Sequence, residues 1–166
     1  ASERLLFDFE TDEGWKVVEG KLPYAFTRSR RGAFSQTGRG FLGTCEVPSG
    51  YDDSMTGVLE SPPFEIDRRF ISVRVGGGNH FKKCYVALVA AGSKDEIFRL
   101  TGRNSETFHS ETLDVAAWKG KRAVLRVVDG ERGAWGHINL DHVVLTNRPA
   151  PAEPQSGPPA EAGWSV

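Results

Sequence analysis

Residues 133–142 read Gly-Ala-Trp-Gly-His-Ile-Asn-Leu-Asp-His, a glycine-flanked tryptophan turn that runs directly into an alternating segment. Side chains of a β-strand point alternately to its two faces, so the alternation of apolar and polar residues predicts a strand. In that strand Ile138, Leu140 and His142 share one face, and Val143 lies on the opposite face. The segment therefore indicates β-structure that carries a turn with an aromatic ring.

The same pattern recurs along the chain and decides the fold class. Phe70–Val75 and Ala123–Val128 alternate with period two, and no window of helical length shows an apolar stripe. Nineteen glycines and nine prolines divide the chain into short segments. Only residues 114–119 are compatible with one turn of helix, with Asp114 as its N-cap. We expect an all-β sandwich of two antiparallel sheets.

The composition changes near the C-terminus. From residue 147 the chain is rich in proline and alanine, which is typical of an extended linker. We therefore expect one domain over residues 1–146 and a Pro/Ala-rich linker or tail over residues 147–166. Trp164 is unusual for a linker and is compatible with either an anchored tail or the start of another domain.

Charge and hydropathy exclude several classes of partner. The 166 residues include 21 basic and 22 acidic side chains, a net charge of −1, so electrostatic capture of nucleic acid or of an anionic membrane is not expected. No apolar run reaches the roughly 18 residues of a membrane span. Cys45 and Cys84 lie outside any metal-binding spacing, and either a disulfide or two separate thiols is compatible with the sequence.

Several segments, in order, resemble carbohydrate-binding module family 66. This is the β-sandwich module attached to levan-degrading enzymes of glycoside hydrolase family 32. The matching segments cover about residues 5–146 and are Phe7–Trp15, Thr56–Ile66, Phe70–His80, Thr101–Glu106, Trp118–Lys121, Val127–Gly130 and Gly136–His142. The sequence departs from the family pattern in residues 20–55.

This resemblance implies a jelly-roll sandwich that binds a sugar in loops at one edge, with a terminal β-fructoside of a fructan (levan or inulin) as the ligand. It also implies a noncatalytic module of a larger protein that is secreted, extracellular or periplasmic. Carboxylate and guanidinium groups pair well with vicinal hydroxyls, and an aromatic ring covers the apolar face of a sugar. The partner expected is therefore a polysaccharide or oligosaccharide.

The first candidates for ligand binding follow a glycine-bounded loop and a strand end. Tyr51, Asp52 and Asp53 offer a ring and two hydroxyl acceptors, although Asp is equally common in turns. Asn79 and His80 follow three consecutive glycines. Such glycines permit close backbone approach, either to a ligand or at a tight exit from the sheet.

The second group of candidates is more polar. Arg103 and Glu106, with Asn104 between them, are expected to form a fork that grips neighbouring hydroxyls, and the alternative is a surface ion pair. Trp135 is expected to present an accessible ring. His137 is either a ligand-binding group or a structural histidine.

Acidic residues near both ends of the domain predict a structural Ca²⁺ site. In jelly-roll modules the first and last strands lie close together, which brings Asp8 and Glu10 towards Asp141. Ca²⁺ takes six to eight oxygen ligands, so carboxylates and backbone carbonyls suit it.

Two other functions compete with sugar binding. A glycosidase needs two carboxylates across a cleft, and Asp52, Asp53 and Glu106 are the loop acids available. No hydrolase motif accompanies them, so the sequence favours a protein that is not an enzyme. The second competitor is a structural or protein-interaction domain without a sugar site, which is the expected function if Arg103, Glu106 and Trp135 are buried in mutual ion pairs and packing.

Overall fold

The computed structural model describes residues 3–11, 13–22, 37–38, 40–47, 50–52 and 54–149. Over these residues the chain forms short strands joined by loops, and one turn of 3₁₀-helix at Ala116–Trp118. The strands are β1 (Glu3–Phe7), β2 (Lys16–Gly20), β3 (Leu42–Gly43), β4 (Glu46–Val47), β5 (Gly50–Tyr51), β6 (Gly57–Glu60), β7 (Phe64–Glu65), β8 (Phe70–Gly77), β9 (Cys84–Ala90), β10 (Glu96–Leu100), β11 (Ser105–Asp114), β12 (Arg122–Asp129) and β13 (Ile138–Thr146).

The strands form two large antiparallel sheets, which confirms the predicted jelly-roll sandwich. The five-stranded sheet has the order β1-β13-β8-β11, with β3 paired to β13. The six-stranded sheet has the order β10-β9-β12-β6-β2, with β7 paired to β12. The first and last described strands are neighbours, as the sequence predicts, and β4 and β5 form a separate hairpin.

Inward side chains of both sheets form one apolar core. The faces predicted for β8 and β12 are confirmed, because Val73, Val75, Leu125 and Val127 are all almost completely buried in this core. Burial of branched apolar side chains between two sheets supplies the main stabilisation of such a fold. The two-residue period therefore fixes which side chains face solvent and which face the core.

The alternation predicted for the last strand is wrong after Asp141. His142 has a φ of 46°, and the pairing of β13 with β8 shifts between Asp141 and Val144. The extra residue forms a β-bulge, which reverses the faces that follow it. Val143 is consequently completely buried, whereas His142 is half-buried on the other side.

The predicted turn of helix is present but shorter than one α-helical turn. Val115 is the N-cap of Ala116–Trp118, and the Asp114 carboxylate accepts the Ala116 N–H at 3.0 Å. Cys45 and Cys84 are both fully buried thiols and are not joined by a disulfide. The described part of the chain contains no helix that is long and apolar enough to cross a membrane.

Two sequence predictions lie outside the described residues. These are the strand expected at residues 25–28 and the tail from residue 150 onward. β13 ends at Thr146. The division into a module over residues 1–146 and a tail over residues 147–166 stays a prediction.

Candidate functional site

Three loops pack together at one end of the sandwich, and glycines allow the contact. A Cβ atom at Gly78 would lie 2.1 Å from the Trp135 carbonyl oxygen, and one at Gly102 would lie 2.3 Å from the Gly77 oxygen. Gly77 itself has a φ of 96°, which a side chain rarely tolerates. The three consecutive glycines therefore allow segments of the protein's own backbone to pack closely. Of the two explanations that the sequence leaves open, this is the tight exit from the sheet and not close approach to a ligand.

The central feature of this end is a cluster of three side chains, Trp135, His137 and Glu106, which we call the end cluster. The indole and imidazole rings are stacked, with centroids 5.6 Å apart and planes 30° apart. The Nε2 atom of His137 lies 2.5 Å from the Glu106 carboxylate. Trp135 is half-buried and has a φ of 58°, a conformation uncommon for a bulky residue and often found at functional sites.

The side chains of the end cluster differ in solvent exposure, and this difference shows which of them a ligand can reach. The His137 side chain is 4% exposed and the Glu106 side chain 20% exposed. His137 therefore acts as the rigid support, with one side against the indole ring and one nitrogen bonded to Glu106. Trp135 and Glu106 are the members that solvent, and hence a ligand, can reach.

Asn79 and Asn104 connect two loops beside the end cluster. The Asn104 side-chain oxygen accepts the Asn79 N–H at 2.7 Å, and the Thr101 hydroxyl donates to the Asn79 side-chain oxygen at 3.1 Å. Asn104 has a φ of 55°, a conformation that asparagine tolerates better than most residues. Because Asn79 is 8% exposed, its position favours a structural role, and Asn104 is the more accessible of the two.

Arg103 does not form the predicted fork with Glu106. Its guanidinium lies 3.6 Å from Glu111, and the two side chains are 10% and 9% exposed. His109 lies 3.0 Å from the same Glu111 oxygen and is also buried. The three residues form a buried polar triad on the core side of β11, in which Arg103 pairs with Glu111 rather than with Glu106.

His80 is the remaining histidine among the predicted ligand-binding residues, and it bonds to the loop that carries Trp135. His80 donates from Nε2 to the Ala134 carbonyl oxygen at 3.3 Å, which fixes it beside the residue that precedes Trp135. His80 is half-buried, so it borders the end cluster and keeps some contact with solvent.

Asp52 and Ser54 lie in a loop that contacts the segment between β12 and β13. Arg132, from the segment between β12 and β13, donates to the Ser54 carbonyl at 3.0 Å. The Asp52 carboxylate accepts both the N–H and the hydroxyl of Ser54, and these bonds lower its pKa. Asp52 therefore has the geometry of a turn residue. The side chain of Tyr51 and all of Asp53 lie outside the described residues.

Two of the three acids predicted for Ca²⁺ come together. Burial, followed by the neighbouring Glu10 charge, raises the pKa of Asp141 to about 7, although the backbone N–H groups of Thr37 and His142 act in the other direction. The Oδ1 atom of Asp141 is buried without a hydrogen-bond partner among the described residues. Asp8 instead closes a local turn by accepting the Glu10 N–H at 3.0 Å.

The described residues contain no group of three or more His, Cys, Asp or Glu side chains arranged around one point. Glu10 accepts the Gly40 N–H at 2.7 Å, and Asp141 accepts the Thr37 N–H at 2.7 Å. Thr37 thus lies beside Asp141, and Gly40 lies beside Glu10. An orphaned carboxylate oxygen next to a second carboxylate is compatible with a hard cation that accepts further backbone oxygens.

Sequence reasoning missed one titratable residue behind the end cluster. Asp129 is 1% exposed, and burial raises its pKa to about 7, against hydrogen bonds from Thr44 and Cys84 and the charge of His137. The signal was available, because Asp129 continues the inward series of Leu125 and Val127 along β12. An acid at an inward strand position predicts a buried carboxyl group.

Sequence comparison finds a relative of part of the chain. No protein-family model matches the chain. A protein of Aspergillus rugulosus named "Putative glycosyl hydrolase ecdE" is 36% identical over 95 residues, which are 57% of this chain and 13% of that protein. The chain thus corresponds to a small part of that relative's length.

Solved structures with the same fold include an adhesin domain and a carbohydrate-binding module. The K1 cleaved adhesin domain of Lys-gingipain from Porphyromonas gingivalis has a TM-score of 0.54 at 14% identity, over 90% of this chain and 100% of that one. The CBM27-1 module of Caldicellulosiruptor saccharolyticus, in complex with mannohexaose, has a TM-score of 0.54 at 11% identity, over 90% and 100%. These identities establish a shared β-sandwich fold, and they do not single out family 66.

Proposed function

We propose that the chain is a noncatalytic carbohydrate-binding module that recognises a terminal sugar unit at the end cluster. The observation that carries this proposal is the half-exposed Trp135 ring, held by its stack on His137 and by the bond from His137 to Glu106. A rigid ring beside a carboxylate is suited to a sugar, which has an apolar C–H face and a rim of hydroxyls. Loops on a rigid sandwich commonly carry such sites.

The finer assignment is a terminal β-fructoside of levan or inulin. The ordered motifs shared with family 66 support it, and so does the likeness of one segment to part of a much longer protein named as a glycosyl hydrolase. A module of this kind would be secreted, extracellular or periplasmic and would hold an attached enzyme on its polysaccharide. Tethering makes weak single-site binding useful, because it raises the effective concentration.

Replacing Trp135 with alanine is expected to weaken sugar binding at least about tenfold, since the aromatic platform is lost. Calorimetric titration with levan, inulin, sucrose and fructose measures the effect. Lys119→Ala, an exposed position in the turn after the 3₁₀-helix, is the matched control and should bind like the unmodified protein.

Two outcomes would contradict the proposal. Flat titrations with all four sugars would exclude fructans and direct the search to other glycans. Steady release of fructose from levan would show a glycosidase, and Glu106→Gln would then test whether the Glu106 carboxylate takes part.

The second candidate function is a structural or protein-interaction domain. The buried pairing of Arg103 with Glu111 favours it, because a group that the sequence assigns to the ligand is used to close the sandwich. Glu106, which the sequence also predicts to bind the ligand, is likewise paired within the protein, with the buried His137. A glycan array without hits, combined with stable capture of another domain of the parent protein, would support this function over sugar binding.

We further propose that Glu10 and Asp141 contribute to a structural Ca²⁺ site. The support is the orphaned Asp141 oxygen and the raised pKa of this carboxyl group, both of which a bound cation would relieve. Thr37 and Gly40, whose N–H groups bond to the two carboxylates, lie beside the proposed site. The ion would join the first and last strands and would leave the chemistry of the end cluster unchanged.

Millimolar Ca²⁺ is expected to raise the thermal midpoint of the EDTA-treated protein by several degrees, because an ion at about 100 times its Kd contributes about 2.7 kcal/mol. Differential scanning calorimetry with and without EDTA measures the shift. Asp141→Asn and Glu10→Gln should each lose the increment, whereas Glu131→Gln, a remote acid, should keep it. Equal midpoints with Ca²⁺ and EDTA would refute the site.

A further inference from the structure

A second concave surface lies away from the end cluster, on the outer face of the six-stranded sheet. It has a volume of about 230 Å³ and is bounded by side chains of β2, β9, β10 and β12 together with Lys94 of the β9–β10 turn. We call it the face groove. None of the ligand-binding positions predicted from the sequence lines it.

The strand register explains why a groove forms here. Ala87 pairs with Arg126 on one side and with Arg99 on the other, so a small side chain lies between two long ones. Val89, two residues along the same strand, continues the low floor, and Tyr85 closes it at the opposite end. Ala87 and Val89 belong to a small apolar cluster separate from the main core and are only 1% and 2% exposed, so they form the buried base of the groove. The apolar surface that a ligand can reach is that of Tyr85 and Val128, which are both half-buried.

The polar walls of the face groove are held in place by the protein's own contacts. Arg99 bonds to Glu96 at 2.6 Å and to the Phe81 carbonyl at 2.8 Å, and its guanidinium lies 3.6 Å from the Tyr85 ring centroid. On the other side, Arg126 lies 3.8 Å from Glu60. Donors and acceptors fixed in this way lose little conformational entropy when a ligand binds.

The charges that line the face groove cancel. Glu19 and Glu96 oppose Lys94 and Arg126, so neither a polyanion nor a polycation is favoured. A ligand that suits this lining is neutral, carries many groups that both donate and accept hydrogen bonds, and has an apolar face that can pack on Tyr85 and Val128. A neutral glycan chain has these three properties.

We propose that the face groove is a second carbohydrate-contact surface, which takes internal units of a neutral glycan chain. The identification of the occupant as a glycan rests on the proposed function, whereas the surface itself is separate from the end cluster. Two contact surfaces on one module would bind a long chain more tightly than a short one, because the second contact is intramolecular.

Nuclear magnetic resonance of ¹⁵N-labelled protein, titrated with a levan-derived oligofructoside and with mannohexaose, separates the two surfaces. The proposal expects shifts of the Ala87 and Arg126 amides with at least one of the two glycans. Shifts confined to residues 101–106 and 133–137 would overturn the face groove and support the end cluster. Shifts confined to the residues of the face groove would support the face groove and overturn the end cluster as a sugar site. The absence of shifts with either glycan at millimolar concentration would overturn both sites.

Filling the groove gives an independent test. Ala87→Leu is expected to weaken binding of the longer glycan on the order of tenfold, without a loss of binding at the end cluster. Tyr85→Leu serves as a second variant that removes the end wall, and Lys119→Ala is the control. Unchanged affinity in both groove variants, with normal thermal midpoints, would overturn the proposal, as would self-association through β12 in the absence of sugar.

Discussion

Arg103→Ala is expected to lower the free energy of unfolding by about 3 kcal/mol and to leave the affinity of the end cluster for sugar nearly unchanged. The reason is the buried pair on the core side of β11, in which Arg103 and Glu111 are each about one-tenth exposed. Removal of the guanidinium leaves a carboxylate without its cation in a region of low dielectric. Chemical denaturation of the variant and the unmodified protein measures the loss.

A double variant provides the control for Arg103. Arg103→Met with Glu111→Met removes both charges, and it should recover much of the stability that either single change loses, because paired buried charges contribute little net free energy. A loss of sugar affinity in Arg103→Ala with normal stability would contradict this account. It would return Arg103 to the ligand-binding role that the sequence predicts.

Strand periodicity predicted the sandwich because its physical cause is local. Alternation over six residues is sufficient to place Val73 and Leu125 in the core, and the structure confirms both. The bulge at His142 was not predictable in the same way, because one inserted residue changes no residue type and only shifts the register. A strand can thus be located correctly while the faces of its second half are reversed.

The candidate site was less predictable, since its contacts join residues far apart in the chain. Spacing alone pairs Arg103 with the nearest acid, Glu106, whereas the register of β11 against β8 turns Glu111 towards the core. Glu106 in turn bonds to His137, thirty-one residues away. The sequence correctly marks this region as polar and aromatic, but only the packing of the glycine-rich loops determines which side chains meet.

Asp129 is, with Asp141, one of two buried carboxyl groups at which a large pH effect on stability is expected. Burial raises the pKa of its carboxyl group in the folded protein to about 7, from an ordinary value of 3.8. Between these two values the folded state holds the proton more tightly than the unfolded state does. The free energy of unfolding therefore falls as the pH rises through this range, by about 4 kcal/mol in total for a shift of roughly three units.

Asp129→Asn removes this titrating carboxyl group, so the free energy of unfolding of the variant should not show the fall that Asp129 causes. The free energies of unfolding of the variant and the unmodified protein should diverge by about 2–3 kcal/mol between pH 5 and pH 8, with the variant favoured at the higher pH. Asp114→Asn supplies a control, because the hydrogen bond from the Ala116 N–H lowers the pKa of Asp114 below its usual value, so this carboxyl group does not titrate between pH 5 and pH 8 and its variant should show the same fall as the unmodified protein. Parallel pH profiles for Asp129→Asn and the unmodified protein would mean that water reaches the Asp129 carboxylate. Water would then reach the space around Asp129 behind His137. The end cluster would in that case lack the rigid, water-free support that the proposed sugar binding requires.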